Sequence, residues 1–196
     1  MSVQRDEKKM WAALDQFFLR VLGEKTGRAV MQESREQAAA FLAAAQEPSP
    51  SRLAVMQSTI LPRMAVYTVL KRRGLDAEKL MEKYIREVQG PVMHDRYAGL
   101  EWIPHFFSIF RWAFRKKTAS SDAWDSVFTA EADSFDLTIR KCLWHDTCAA
   151  CGCPEACRFF CEGDNHSCGD LKKVGFRRTQ TLGTGGDCCD FHFYKK

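Results

Sequence analysis

Val174-Gly175-Phe176-Arg177-Arg178-Thr179-Gln180-Thr181-Leu182-Gly183-Thr184-Gly185-Gly186-Asp187-Cys188-Cys189-Asp190-Phe191-His192-Phe193-Tyr194 decides the fold class. Val174, Phe176, Arg178, Gln180 and Leu182 recur with the two-residue period of a strand. Gly183 to Asp187 then supplies turn chemistry, and Cys188 to Tyr194 returns. On the return, Cys189, Phe191 and Phe193 point one way, and Cys188, Asp190 and His192 the other. This predicts an antiparallel hairpin. Upstream, Trp124–Phe128 and Phe135–Ile139 form a second candidate pair. There Phe135, Leu137 and Ile139 alternate with Asp136, Thr138 and Arg140, and Ala132-Asp133 supplies the turn.

Ahead of these hairpins the period is helical. Met10, Trp11, Leu14, Phe17, Phe18, Val21 and Leu22 form a stripe that Gly23 closes. A second helix is expected over 28–46. The break Glu47-Pro48-Ser49-Pro50-Ser51 starts a third, running to Gly74 with a kink at Pro62. Asp76 caps a fourth, which Gly90-Pro91 ends. Between the hairpins, a helix is expected over 143–151 and a short one from Pro154 to about Cys161. The order predicts an α+β fold in one domain, 1–196. A helical lead-in over 1–120 packs on a small antiparallel sheet from the C-terminal hairpins, with a cysteine-rich α+β region over 121–196.

The chain has 196 residues, 14 Phe, 5 Trp and 4 Tyr, enough apolar surface to argue against disorder. Its nine cysteines all lie from Cys142 to Cys189. A small secreted disulfide scaffold would spread them through a chain lacking a core, so reduced thiols and a cytoplasmic location are expected. The start, Met1 to Lys9, shows no apolar signal region. No apolar run reaches the roughly 20 residues of a spanning helix, the nearest being Leu100 to Phe114, so no membrane partner is expected. The net charge is +4, and its surplus is shared between the two parts of the chain. The one dense basic run, Arg111, Arg115, Lys116 and Lys117, suits a helix C-terminus, so no nucleic-acid partner is expected either.

Several motifs could carry chemistry. Cys148-x2-Cys151 and Cys157-x3-Cys161 offer thiolates for zinc, with Cys148, Cys151, Cys157 and His166 as candidate ligands. Their separation is short for a structural site, and packing accounts for several buried thiols without a ligand. No cofactor is required; zinc or another metal is allowed. Cys161, Asp164 and His166 bring thiol, carboxylate and imidazole together in sequence, the materials of a nucleophile and its base. On local grounds the same stretch reads as a polar loop after a helix. Arg178 offers a guanidinium fork for a carboxylate, while alternation sends Arg177 to the other face. Gly183-Thr184-Gly185-Gly186 precedes a strand, so it reads as a turn rather than a phosphate cradle. Trp102, Phe106, Phe107, Phe110, Trp112 and Phe114 are expected on one helix as core or site wall, with His105 as a core imidazole.

Taken as an ordered set, Arg140-Lys141-Cys142, Gly152-Cys153-Pro154-Glu155, Phe160-Cys161-Glu162-Gly163-Asp164, Arg178-Thr179-Gln180-Thr181-Leu182 and Gly186-Asp187-Cys188-Cys189-Asp190-Phe191 resemble the L-2-amino-thiazoline-4-carboxylic acid hydrolase family. The resemblance is closest from Trp124 onward, and Ile60 to Leu70 is similar to the family's helical region. It implies hydrolytic opening of a small cyclic amidine, a thiazoline acid, to S-carbamoyl-cysteine. The recurring family positions fall on Cys142, Cys161, Asp164, Arg178, Thr179, Thr181, Asp187, Cys189 and Asp190. The thiols at Cys148, Cys151, Cys153, Cys157, Cys168 and Cys188 are additional.

The resulting catalytic candidates are Cys161, Asp164 and Cys189. Cys161 or Cys189 attacks the ring carbon as thiolate, or Asp164 orients a water as general base. A Cys161 at the end of its helix would be disfavoured as a thiolate, which favours Asp164. Substrate binding is assigned to Arg178, Thr179, Thr181, Asp190 and His192, with Arg178 holding the carboxylate. The expected partner is a small-molecule substrate, and a homo-oligomer is allowed. The alternative is a non-catalytic metal- or ligand-binding sensor module using the Cys142–Cys168 block.

Overall fold

In the computed structural model, which describes residues 3–196, contacts group the chain into two units. One is the chain up to Tyr84 together with Asp146–Ala156; the other is Ile85–His145 with Cys157–Lys196. Met1 and Ser2, part of the start examined above for a signal, lie outside the described residues.

The first unit is helical. Helices α1 (Val3–Leu22) and α2 (Glu24–Ala44) meet at Gly23, whose φ of 77° an L side chain rarely adopts. A Cβ on Gly27 would come within 2.8 Å of the Leu19 Cα, so this glycine lets α1 and α2 touch backbone to backbone. Ser49 caps α3 (Pro50–Val55) by accepting the Arg52 N–H at 3.4 Å. The chain then passes through a π turn, Met56–Ile60, into α4 (Leu61–Arg72). Asp76 caps α5 (Ala77–Tyr84) through the Lys79 N–H at 3.1 Å. Ile60, Met64, Tyr67 and Leu70 are fully buried with Leu14, Phe17, Phe18 and Val30. The helical run Pro50–Arg72 is long and apolar enough to cross a membrane, and most of it is buried. The longest apolar run is therefore this core helix, not the stretch from Leu100.

At Pro62 a π turn precedes the proline, and one proline expectation is corrected: Gly90-Pro91 does not end its helix. A π turn at Ile85–Gln89 carries the helix on into α6 (Gly90–Ala98). In both places the proline stands two residues after a wide turn. Such a turn makes room for the ring and already breaks the regular ladder that the missing N–H would interrupt.

The second unit holds a four-stranded antiparallel sheet in the order β1-β2-β4-β3: β1 (Trp124–Ala130), β2 (Ser134–Cys142), β3 (Val174–Arg177) and β4 (Cys189–Lys195). Phe135 pairs with Phe193 and Ile139 with Cys189, so the apolar residues of β2 and β4 share a face. Phe135 stacks on Phe193 at 4.7 Å and meets Phe107 and Phe110 of α7 (Phe106–Ala119). Helix α7 is shorter than the aromatic run suggested. Trp102 (78% exposed) and His105, which is exposed with φ 57°, precede it, because Pro104 keeps Ile103 out of the helical region. His105 is therefore not a core imidazole.

Three boundaries near the cysteines also move. Helix α8 covers Leu143–Ala150, and Pro154–Ala156 is one 3-10 turn. The helix expected to stop near Cys161 is α9, Cys157–Cys168. Gly163 does not break it, because this glycine packs on the π turn: a Cβ there would meet the Gln89 amide at 2.7 Å. Similarly, a Cβ on Gly90 would lie 2.5 Å from the His166 Cβ. Finally, β3 stops at Arg177 rather than Leu182. The Asp190 carboxylate accepts the Thr179 N–H at 3.0 Å and the Gln180 N–H at 2.8 Å, removing these donors from the ladder. Residues 178–188 thereby leave the sheet as a loop with a 3-10 turn at Leu182–Thr184.

Candidate active site

Cys157, Cys161, Asp164 and Cys168 are spaced four, three and four residues apart, so they line one face of α9. The loop after β3 closes over this face. Gly183 sits where a Cβ would be 2.8 Å from the Cys161 Sγ and 3.0 Å from the Cys157 carbonyl carbon. The Arg178 Nη1 donates to the Cys161 carbonyl at 2.7 Å. The same guanidinium lies 3.6 Å from the Asp164 Oδ2 and 3.7 Å from the Glu162 Oε2. With its side chain only 11% exposed, Arg178 ties the loop to the helix.

The Cys161 Sγ receives hydrogen bonds from the thiols of Cys157 and Cys189 and from the Thr181 hydroxyl, and the Arg178 charge is near. The Thr181 hydroxyl also pairs with the Thr184 hydroxyl at 2.9 Å, and Thr184 donates to the Thr181 carbonyl at 3.1 Å. Convergent donors favour the ionised form, so the Cys161 thiol is held far below its ordinary range. Cys189, at the start of β4, shares a proton with Cys161, and that bond together with burial pushes it up. Its sulfur accepts one backbone N–H, that of Leu182 at 3.4 Å. In this pair Cys161 is the thiolate and Cys189 a donor. Cys161 lies well inside α9, so the thiolate is stabilised by side chains and the helix end does not oppose it.

Asp164, one turn beyond Cys161, is pushed up to about 7, first by burial; the Arg178 charge opposes the rise and that of Cys161 adds to it. Half of its side-chain surface is nevertheless open. The carboxyl is thus desolvated by surrounding protein and still open to a ligand. Cys142, at the end of β2, feels both Cys161 and Asp164 and is pushed up to about 11 by burial, despite backbone N–H groups of His145 and Trp144. Only Cys161 among these thiols is set to ionise near neutrality. Accordingly, iodoacetamide at pH 6.5 should alkylate Cys161 first and leave Cys142, Cys151 and Cys168 unmodified, as read by peptide mass mapping. Cys151 and Cys168, like Cys142, are pushed up by burial, each to about 12.

Of the substrate-binding candidates, Arg178 and Thr181 lie beside Cys161. Thr179 and Asp190 hold each other, and so shape the loop that carries Arg178 and Thr181. His192 bonds through Nδ1 to the Asp136 Oδ1 at 2.7 Å, on the strand face opposite Cys189. Arg177 lies over the Tyr194 ring, apart from Arg178. The metal candidates are divided. Cys148 donates to the Met64 sulfur at 3.4 Å and Cys151 lies near it in the first unit, whereas Cys157 and His166 belong to α9. Among the described residues, no three His, Cys, Asp or Glu gather where they could hold a metal ion. None of the nine cysteines is in a disulfide.

Two contributors escaped the sequence reading. Cys157 serves as a hydrogen-bond donor to Cys161, a role its i, i+4 spacing would have suggested had the helix been extended. Lys117 belongs to a basic run that the structure distributes among separate tasks. Arg111 donates to the Ala132 carbonyl in the β1–β2 turn at 3.0 Å, Lys116 lies over Trp112, and Lys117 lies over Trp124.

The model of the L-2-amino-thiazoline-4-carboxylic acid hydrolase family matches residues 54–193, and the chain belongs to that family. Among curated protein sequences, none matches it. Among solved structures it is similar to an H-NOX protein from S. oneidensis in the Fe(II) ligation state, a triple mutant. The identity is 10% over 94% of this chain and 95% of that one, with a TM-score of 0.38. An unliganded Fe(II) H-NOX protein from K. algicida aligns at 12% identity over 93% and 95% of the two chains, with a TM-score of 0.32.

Proposed function

We propose that this member of the L-2-amino-thiazoline-4-carboxylic acid hydrolase family opens the ring of a small cyclic amidine acid, with Cys161 as nucleophile and Asp164 as acid and then base. The observation that carries the reading is the pairing, one turn apart on α9, of a thiol held as thiolate and a carboxyl raised to about 7. A nucleophile ionised at neutral pH beside a proton carrier matched to that pH is what acyl-type substitution at an amidine carbon requires.

The Cys161 thiolate adds to the amidinium carbon between ring sulfur and ring nitrogen, forming a neutral tetrahedral adduct. Protonated Asp164 gives its proton to the ring nitrogen. The carbon–nitrogen bond breaks, and the exocyclic nitrogen lone pair forms an iminium on the enzyme-bound carbon. The Asp164 carboxylate then takes a proton from a water that attacks this carbon. The second adduct expels the Cys161 thiolate, and its hydroxyl proton ends on the released amine. The product is an S-carbamoyl thiol bearing a free α-ammonium, and Asp164 is again protonated. Thiolate expulsion is easy because the donors that stabilise Cys161 at rest also stabilise it as a leaving group.

Incubation with L-2-amino-thiazoline-4-carboxylate should yield S-carbamoyl-cysteine, detected by mass as addition of one water, with the covalent adduct on Cys161 trapped by rapid acid quench. Absence of turnover on this and on imidazoline and hydantoin acids would overturn the reading.

A further inference from the structure

Arg178 was assigned the substrate carboxylate by sequence, yet the structure commits this guanidinium to the Cys161 carbonyl and leaves it 11% exposed. A second cation is placed differently. Lys117, in the last turn of α7, holds its Nζ 5.6 Å from the centroid of the Trp124 ring. Trp124 stacks on Trp144 at 5.3 Å with 8° between the planes. Trp124 also packs in the cluster that contains Cys189, Cys142 and Leu182, beside the thiols of the site. Lys117 is near enough to Asp164 for its charge to act there. Among the described residues it forms no hydrogen bond or ion pair with a carboxylate, and Arg96 adds a second positive charge nearby. A cation set against an aromatic wall, close to a reactive thiol, within the field of Asp164 but hydrogen-bonded to no carboxylate, is complementary to a ligand anion.

We propose that Lys117, backed by the stacked Trp124 and Trp144, is the carboxylate-binding subsite of the site proposed above. This inference rests on that reading for its location. Lys117 is exposed on α7, so a ligand anion can reach its ammonium. Arg178 keeps its structural task, holding the loop while Lys117 meets the ligand.

Two arms test the inference. In the first, Lys117→Met should raise the KM for L-2-amino-thiazoline-4-carboxylate at least ~10-fold with kcat within about threefold. On 2-amino-2-thiazoline, which lacks the acid, the variant should change KM by less than about threefold, and Lys117→Arg should restore most of the loss on the acid. The second arm needs no turnover. L-thiazolidine-4-carboxylate, which has no amidine carbon to open, should change the fluorescence of Trp124 in the wild-type protein, and thiazolidine should not. Trp124→Phe should remove the signal and Lys117→Met should weaken binding at least ~10-fold. Equal KM changes on both substrates, or acid binding unchanged in Lys117→Met, would overturn the subsite. Lys117-dependent binding without turnover of any substrate would instead overturn the hydrolase reading and leave the subsite standing.

Discussion

Cys161→Ser is expected to lower kcat/KM on L-2-amino-thiazoline-4-carboxylate by at least ~1,000-fold while the protein still folds. The two side chains are nearly the same size, and Cys161 is only half-buried, so a melting curve close to wild type is expected. The chemistry differs. Three donors, the Cys157 and Cys189 thiols and the Thr181 hydroxyl, bring a thiol to its ionised form, but a serine hydroxyl starts too high for the same donors to ionise. Those donors would then face a neutral acceptor, and no thiolate would exist to add to the amidine or to leave. Cys189→Ser should cost far less, because Cys189 acts as a donor to Cys161 and serine still donates. A Cys161→Ser protein that kept a tenth of the activity would show that Asp164 directs water at the ring carbon without a covalent step. Comparable losses in both variants would mean that the thiol pair acts as a structural unit.

What was legible in the chain follows the range of the interactions involved. The alternation in 135–140 gives β2 from the residues themselves, and Gly23, Ser49 and Asp76 mark helix ends through local caps and backbone preferences. The return strand was legible for the same reason. Its partner was only half legible. Arg178 to Leu182 keeps the strand period, but Asp190, ten and eleven residues from Gln180 and Thr179, captures their backbone donors. No periodicity encodes that capture. Likewise, Gly163 reads as a helix stop until the π turn at Ile85–Gln89 packs against it and requires a residue without a Cβ.

The candidate site inherits both misreadings. With α9 ended at Cys161, Asp164 reads as a loop residue and Cys161 as a helix terminus that opposes a thiolate. With α9 continued, the two fall on one face. Cys161, Asp164 and Cys189 entered the sequence reading through their place in a family-like pattern, not through spacing. Lys117 had no such marker, since its relation to Trp124 depends on how α7 packs on β1.

Asp164→Asn is the second large expected effect, and it acts on rate and stability in opposite directions. In the proposed first step the carboxyl donates a proton to the ring nitrogen. An amide cannot do this, and a loss of ~100- to 10,000-fold in kcat/KM is expected. With Asp164 raised to about 7, wild-type kcat/KM should fall on the alkaline side with a midpoint near pH 7, as the proton donor is lost. The residual rate of Asp164→Asn should lack that limb. The stability sign is fixed by linkage. The folded carboxyl binds its proton more tightly than the unfolded one, whose value is near 4. The folded state therefore loses stability as pH rises from about 4 to about 7, and the full penalty remains above that range. An asparagine carries no such penalty. Asp164→Asn should thus melt above wild type at pH 8, with the gap closing toward pH 4. Because half of this side chain is open to solvent, the shift is expected to be modest. A carboxyl kept in a setting that costs stability, and whose removal stabilises the fold while stopping the reaction, is held there for its proton. Equal melting temperatures at pH 8 together with an unchanged alkaline limb would show that Asp164 is an ordinary surface acid and would remove it from the mechanism.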